Sequence, residues 1–326
     1  MTPDIRIDVQ LDEQQWGKHL AEQTREGLIS PTPWMPPVWF YDERGSDLFD
    51  QITRLPEYYP TEAERAILAA HSDEIATITD ANTLVELGSG TSDKTRLLID
   101  ALRRHGSLQT FGPMDCAEST LRDASEQIAA QHPGLGISGL VGDFNAHLAH
   151  LPRGGNRLIA FLGSTIGNFN PEGRTAFLTH LGSIADPGDY ILLGTDLVKP
   201  ESRLEDAYND SQGVTAEFNL NALAVMNREL DADFDLAGFR HHAPWVAEKS
   251  RIEMRLIALG DQHVSIPGLG ITLDIADGQW IQTEVSTKFT APQVASELAE
   301  VGLDVVQQWT DPAGDFLVTL ARAPLG

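Results

Sequence analysis

The stretch Glu86-Leu87-Gly88-Ser89-Gly90-Thr91-Ser92-Asp93-Lys94-Thr95 is the part of this sequence best suited to hold a small molecule. Its two glycines let the backbone turn sharply and come close to a ligand. Two familiar phosphate-binding loops do not fit. A dinucleotide fingerprint needs its third glycine where Asp93 stands, and a phosphate-cradling loop needs glycine directly before Lys94-Thr95, where Asp93 stands again. A fixed negative charge is unfavourable beside phosphate. A nucleoside without phosphates fits better. Asp115, following Phe111-Gly112-Pro113-Met114, is placed to accept from ribose hydroxyls. Asp143-Phe144, following Leu140-Val141-Gly142, offers an acceptor for an adenine amino group and a ring for its face. S-adenosylmethionine is the adenosine cofactor that carries no phosphate, and its sulfonium tolerates acidic surroundings.

Other residues suit a small polar substrate. Glu284 and Ser286 stand two apart in an alternating segment, so on a strand they share one face. A carboxylate and a hydroxyl match an imidazole, which donates twice when protonated and donates and accepts when neutral. Taken alone, with Lys288 continuing it, this face reads as a solvated strand surface. Tyr58 and Tyr208 can donate phenolic hydrogen bonds to a carboxylate, Asn168 places an amide at a strand end, and Met254 is core or an apolar pocket wall. His241-His242 reads as a pair of exposed loop histidines. No zinc-like Cys/His spacing is present, and the single Cys116 can form neither a thiolate cluster nor an internal disulfide. No metal is expected.

The elements that must position these residues follow a strand-then-helix rhythm from about residue 83. Thr83 to Leu87 reads as a buried strand, followed by the glycines and a helix with Leu97, Leu98, Ala101 and Leu102 on one face. Leu158 to Leu162 and Tyr190 to Leu193 read as further buried strands, each followed by a glycine where the chain must turn. A doubly wound α/β sheet is expected. Residues 304–308 and 316–321 read as a hairpin that returns to that sheet. Thr61 to Glu64 reads as a capping box in which Glu64 reaches back to the helix start. The first sixty residues, rich in Trp, Pro and Tyr, read as irregular, and residues 198–287 as an insertion with helical and then alternating character.

At 326 residues, two domains or one domain with a large insertion are expected. The formal charge of −25 repels phosphate backbones and anionic membranes, which argues against nucleic acid as a partner. The amino terminus shows no basic start or apolar run of a secretory signal, and no apolar run approaches the ~20 residues of a membrane span. A cytoplasmic, monomeric protein is expected.

Beyond these features the sequence resembles the L-histidine Nα-methyltransferases of ergothioneine biosynthesis, over nearly the whole chain after the first few dozen residues. The resemblance is carried by Trp39-Phe40-Tyr41-Asp42, Gly45 to Ile52, Leu55 to Thr61, Leu84 to Ser92, Phe161 to Asn168, Leu193 to Lys199, Thr283 to Ser286 and Trp309 to Phe316. It implies a class I, Rossmann-like methyltransferase domain from residues 63–197 and 288–326, and a smaller histidine-binding domain from residues 1–62 and 198–287. It implies that S-adenosylmethionine touches Gly88, Lys94, Asp115, Asp143 and Phe144. It implies that L-histidine touches Tyr58, Gly163, Asn168, Tyr208, Met254, Glu284 and Ser286, with Tyr41 and Asn168 in catalytic positions near the amine. The implied product is the trimethylated betaine, hercynine. A tryptophan-methylating relative is disfavoured, because a carboxylate at Glu284 would match an indole poorly.

Overall fold

The computed structural model describes residues 4–324. Along the chain, β1 (Ile5–Val9) is followed by α1 (Glu13–Leu28), α2 (Glu43–Ile52) and α3 (Pro60–Thr79). Strands and helices then alternate through β2 (Thr83–Leu87), α4 (Thr95–His105), β3 (Thr110–Asp115), α5 (Glu118–Gln131), β4 (Gly136–Val141), β5 (Arg157–Phe161), α6 (Pro171–Ile184) and β6 (Tyr190–Asp196). Next come α7 (Glu201–Tyr208), α8 (Val214–Glu229), β7 (Phe239–His242), β8 (Trp245–Val246), β9 (Arg251–Ala258), β10 (Gln262–Ile266), β11 (Ile271–Ile275) and β12 (Trp280–Thr287). The chain closes with α9 (Ala291–Glu300), β13 (Asp304–Thr310) and β14 (Phe316–Arg322). Among the described residues no helix is long and apolar enough to cross a membrane.

Two compact units result, one of Met1–Asp12, Pro60–Leu197 and Phe289–Gly326, the other of Glu13–Tyr59 and Val198–Lys288. The first holds an eight-stranded sheet in the order β1-β4-β3-β2-β5-β6-β14-β13. Its strands from β1 to β6 are parallel, and β14 and β13 return antiparallel as the expected hairpin. The central strands β2 and β5 are buried along their whole length, Glu86 and Arg157 included, as strands covered on both faces are. Alternate residues feed two layers: Leu84, Phe111, Leu158 and Leu192 pack with Ile67 and Leu98, whereas Val85, Ile159, Phe161 and Ile191 pack with Phe177 and Leu181. From β2 the chain winds outward through β3 and β4, then restarts on the other side with β5 and β6. The order therefore reverses between β2 and β5, the place where an open α/β sheet offers a crevice at its carboxyl edge. This is the doubly wound α/β class.

Several local expectations are corrected. Strand β1 pairs in parallel with β4, so Ile5–Val9 belongs to the large sheet and not with residues up to 62. The supposedly irregular first sixty residues contain that strand and the helices α1 and α2; Leu20, Thr24 and Leu28 recur at four-residue spacing on the buried side of α1. On α4 the buried set is Leu98, Ile99, Ala101 and Leu102, with Leu97 only half-buried. Gly194 makes no turn. It lies inside β6, where a Cβ would stand 2.0 Å from Glu64 Oε1. Glu64 does not cap its helix either: it is fully buried, in the stripe of α3 shared with Ala63, Ile67 and Leu68.

The second unit has its own core, with Leu48, Ile52, Phe218, Leu223 and Met226 from α2 and α8 against Ile252, Leu256 and Ile281 of the sheet β12-β9-β7. Along β9, Ile252, Met254 and Leu256 face this core, while Arg251, Glu253 and Arg255 alternate on the other side. The β9-β12 register sets Met254 opposite Glu284 and Ile252 opposite Ser286, and a bulge lies between Gln282 and Glu284. Those four side chains therefore share one face.

Candidate functional site

In the first unit the candidates sit where the parallel strands end. Past Leu87 the backbone enters the left-handed region at Gly88 (φ 67°), Gly90 (φ 46°) and Ser92 (φ 54°). A Cβ on Gly88 or Gly90 would meet nothing within 4 Å, so glycine is required here by conformation, and the space over the loop is open. Glu86 ties the loop to its strand. Its buried carboxylate accepts from Ser92 Oγ at 2.6 Å and from Thr95 Oγ1. Burial pushes this carboxyl up to about 7, against the pull of the two hydroxyls and of Lys94.

Asp115 closes the same loop, Oδ2 accepting from Gly90 N at 2.8 Å and Oδ1 from Ala117 N at 2.9 Å. A carboxylate has about four lone-pair positions, so acceptor capacity remains for ribose hydroxyls. Asp143 accepts from Asn145 N and Nδ2, both at 2.9 Å. Phe144 is held edge-on by Phe161, Phe169 and Phe177, with ring centroids 5.4, 6.0 and 5.8 Å away. Within the loop, the buried Ser89 Oγ has no hydrogen-bond partner among the described residues. Open glycine turns, an unsatisfied buried hydroxyl and the acidic acceptors Asp115 and Asp143 fit an adenosine cofactor lacking phosphates.

Sequence reasoning missed Glu64 at this edge. Both of its oxygens accept from Gly163 N, at 2.9 and 3.0 Å, and the Lys94 ammonium donates to Oε2. One buried carboxylate thus fixes both Lys94 and the Gly163 turn (φ 76°), and Gly194 leaves room for it. The available signal was a charge inside an apolar helical stripe. Beyond Gly163, Ser164 Oγ accepts from Asp196 N at 2.9 Å, and a single helical turn from Thr165 to Asn168 ends at the half-buried Asn168.

In the second unit the aromatic candidates form a chain of contacts. Tyr41 meets Phe49 and Phe218 at 5.9 and 5.8 Å, Phe49 meets Tyr58 at 6.5 Å, and Tyr58 meets Tyr208 at 6.0 Å. The Tyr208 hydroxyl donates to Ser286 Oγ at 2.8 Å. Lys288, read from sequence as a solvated continuation of the strand, is 1% exposed; its Nζ donates to both Tyr208 Oη and Ser286 Oγ at 2.8 Å. Glu284 lies half-buried on that face beside the buried Met254, and desolvation pushes its carboxyl up to about 7 against the pull of Lys288.

The histidines are also corrected: His241 and His242 belong to strand β7. Half-buried His241 donates from Nε2 to Tyr208 O at 2.7 Å and accepts at Nδ1 from Asn219 Nδ2 at 2.8 Å, and burial lowers its pKa. It braces the helix that carries Tyr208.

Comparison with known proteins shows the family of the chain. The chain is 53% identical to the histidine N-alpha-methyltransferase of Mycolicibacterium smegmatis over 302 residues, 93% of this chain and 94% of that protein. Likeness to the histidine N-alpha-methyltransferase of Mycobacterium tuberculosis is also 53%, over 305 residues, 93% of this chain and 95% of that one. Ergothioneine biosynthesis protein 1 of Neurospora crassa is 30% identical over 296 residues, 85% of this chain and 32% of that longer protein. The profile of the histidine-specific, SAM-dependent methyltransferases matches residues 20–323, and the chain belongs to that family.

Proposed function

We propose that this chain transfers three methyl groups from S-adenosylmethionine to the α-amino nitrogen of free L-histidine, giving hercynine, the first step of ergothioneine biosynthesis. The observation that carries this reading is the 53% identity to two histidine N-alpha-methyltransferases over 93% of the chain. Likeness to an ergothioneine biosynthesis protein supports the place in the pathway.

Gly88, Lys94, Asp115, Asp143 and Phe144 are the residues assigned to the cofactor. When bound, S-adenosylmethionine supplies an electrophilic methyl group on a sulfonium. The protein's task is then to align a neutral amine in line with that methyl, so that the N–C bond forms as the C–S bond breaks. Each of the first two transfers leaves a proton on nitrogen that must depart before the next. The third yields a quaternary nitrogen with no proton to lose. Asn168 is assigned to the amine, as is Tyr41, which orients it or carries its proton; Tyr41→Phe with full turnover at every pH would remove that role. Glu284 and Ser286 grip the substrate ring, Met254 walls it, Gly163 is assigned as a substrate contact, and Tyr58 anchors the carboxylate. The Tyr208 proton points at Ser286, so Tyr208 serves the ring side of the site.

The test is incubation of the purified protein with S-adenosylmethionine and each common free amino acid, followed by mass spectrometry. Histidine should gain three methyl groups. Turnover of another amino acid instead would overturn the Glu284/Ser286 assignment, and no turnover would overturn the activity.

A further inference from the structure

Buried lysines are costly unless their protons are used, which makes Lys288 the most informative group on the second unit that the proposed reaction does not employ. An ammonium offers only donors. Two of its protons go to Tyr208 Oη and Ser286 Oγ, each at 2.8 Å. The two hydroxyls are themselves 2.8 Å apart, so one donates to the other. A phenol is the stronger donor and weaker acceptor of the pair, which directs the Tyr208 proton onto Ser286 Oγ. Both lone pairs of Ser286 Oγ are then filled, one by Lys288 and one by Tyr208. Its single O–H has a donor's part left to play and no acceptor's part.

This matters for the ring that Ser286 and Glu284 are assigned to hold, and the inference rests on that assignment. Glu284, on the same strand face, accepts an N–H when ionised. A ring satisfying both groups presents one N–H and one bare nitrogen. Neutral imidazole does so, while imidazolium, with two N–H groups, points a donor at a donor. We propose that Lys288 is a positioning residue which fixes the Ser286 hydroxyl as a donor, so that this face selects a neutral ring bearing one N–H and one acceptor nitrogen and rejects the same ring when protonated.

The groups around the network within this unit agree with that polarity. Glu284 shares the strand, Tyr58 lies across the Tyr208 ring, and His241 donates to the Tyr208 carbonyl with its pKa lowered by burial. Arg251, Glu253 and Arg255 are bound to one another on the opposite side of β9.

The test compares L-histidine with its 1,2,4-triazole analogue, which keeps an N–H and an acceptor nitrogen but does not protonate near neutrality. Dissociation constants are measured by calorimetry with saturating S-adenosylhomocysteine, from about pH 8 to about pH 5.5, one unit below the imidazole pKa of about 6.5. Titration of Glu284 and of the α-amine affects both ligands alike, so their ratio isolates the ring. Histidine should weaken about tenfold more than the analogue, the loss of its neutral fraction. In Lys288→Met, where Ser286 is free to turn and accept, that gap should close, and Ser286→Ala should close it too. Equal pH dependence of the two ligands on the unaltered protein overturns the proposal, a result that needs no variant to fold. A Lys288→Met protein that retains the tenfold gap also overturns it. Failure of the proposed activity is seen separately, as absence of histidine methylation by the unaltered protein.

Discussion

Around Gly88 the ligand-facing surface is backbone, bent by glycines and pinned by partners six to twenty-five positions away: Ser92 and Thr95 on Glu86, and Gly90 on Asp115. Around Glu284 the surface is side chain, and the contacts that shape it join residues 78 and 80 positions apart, Tyr208 with Ser286 and Tyr208 with Lys288. Each region also contains a carboxyl pushed up to about 7 by burial, Glu86 opposed chiefly by hydroxyl donors and Glu284 by a lysine. The first kind of site follows from local chain geometry. The second exists only when distant segments have packed.

The largest effect should come from the sheet under the backbone-built region. Arg157 is 1% exposed, and Asp189 accepts from its Nε at 2.8 Å and from its backbone N at 3.0 Å. Asp189→Ala removes the buried partner of that charge, leaving it only the half-exposed Asp186 carboxylate at 3.2 Å, and should cost up to roughly 3–5 kcal/mol in urea unfolding, the scale for removing one partner of a buried ion pair. A loss near zero would mean that the edge does not depend on this anchor.

Next in size is Glu284→Ala, expected to lose about 1.5–3 kcal/mol of histidine binding, the scale of a hydrogen bond to a charged group. Cofactor affinity, measured in the same calorimeter, should not change. The reverse separation is expected for Gly88→Ala: a side chain at φ 67° costs roughly 1–2 kcal/mol, and cofactor affinity should fall while histidine affinity holds. If either variant weakened both ligands equally, the division between the two kinds of site would fail.

The smallest effect is a slope. The Glu86 carboxyl stands at about 7 in the folded protein against 4.5 as its reference, so between those values the folded state holds a proton that the unfolded chain has released. Its stabilising contribution is complete below 4.5 and is lost as pH rises through about 7. Glu86→Gln should flatten that part of the stability curve in thermal melts from acidic to neutral pH. Glu284 has the same sign, so the double variant should flatten it further.

Much of this was readable in advance, for identifiable reasons. Strand β2 was found from Thr83 to Leu87 because a short run with Leu84, Val85 and Leu87, ended by a glycine, is the pattern of a buried parallel strand even with Glu86 inside it. The position of Asp115 and Asp143 at the sheet's carboxyl edge was readable because residues at or just past the ends of parallel strands gather there. Glu64 was misread because its local signal, Thr61 to Glu64 before a helix, is that of a cap, and only the approach of Gly163 and Lys94 gives its carboxylate other partners. Gly194 was misread as a turn because nothing near it in sequence reveals the Glu64 carboxylate lying against it. Strand β1 was missed because its pairing partner, β4, lies over a hundred residues away.

The sequence by itself determined the alternation of strand and helix, the glycine turn after β2, and which residue types stand at each strand end, since these depend on periodicity and on backbone conformations that few residues adopt. The tertiary structure decided which charges are buried and what they face. Lys288 is a solvated strand residue by its pattern and the centre of a buried donor network in the fold. Whether a charged side chain meets water or a specific partner depends on what packs over it, and that information lies in segments far along the chain.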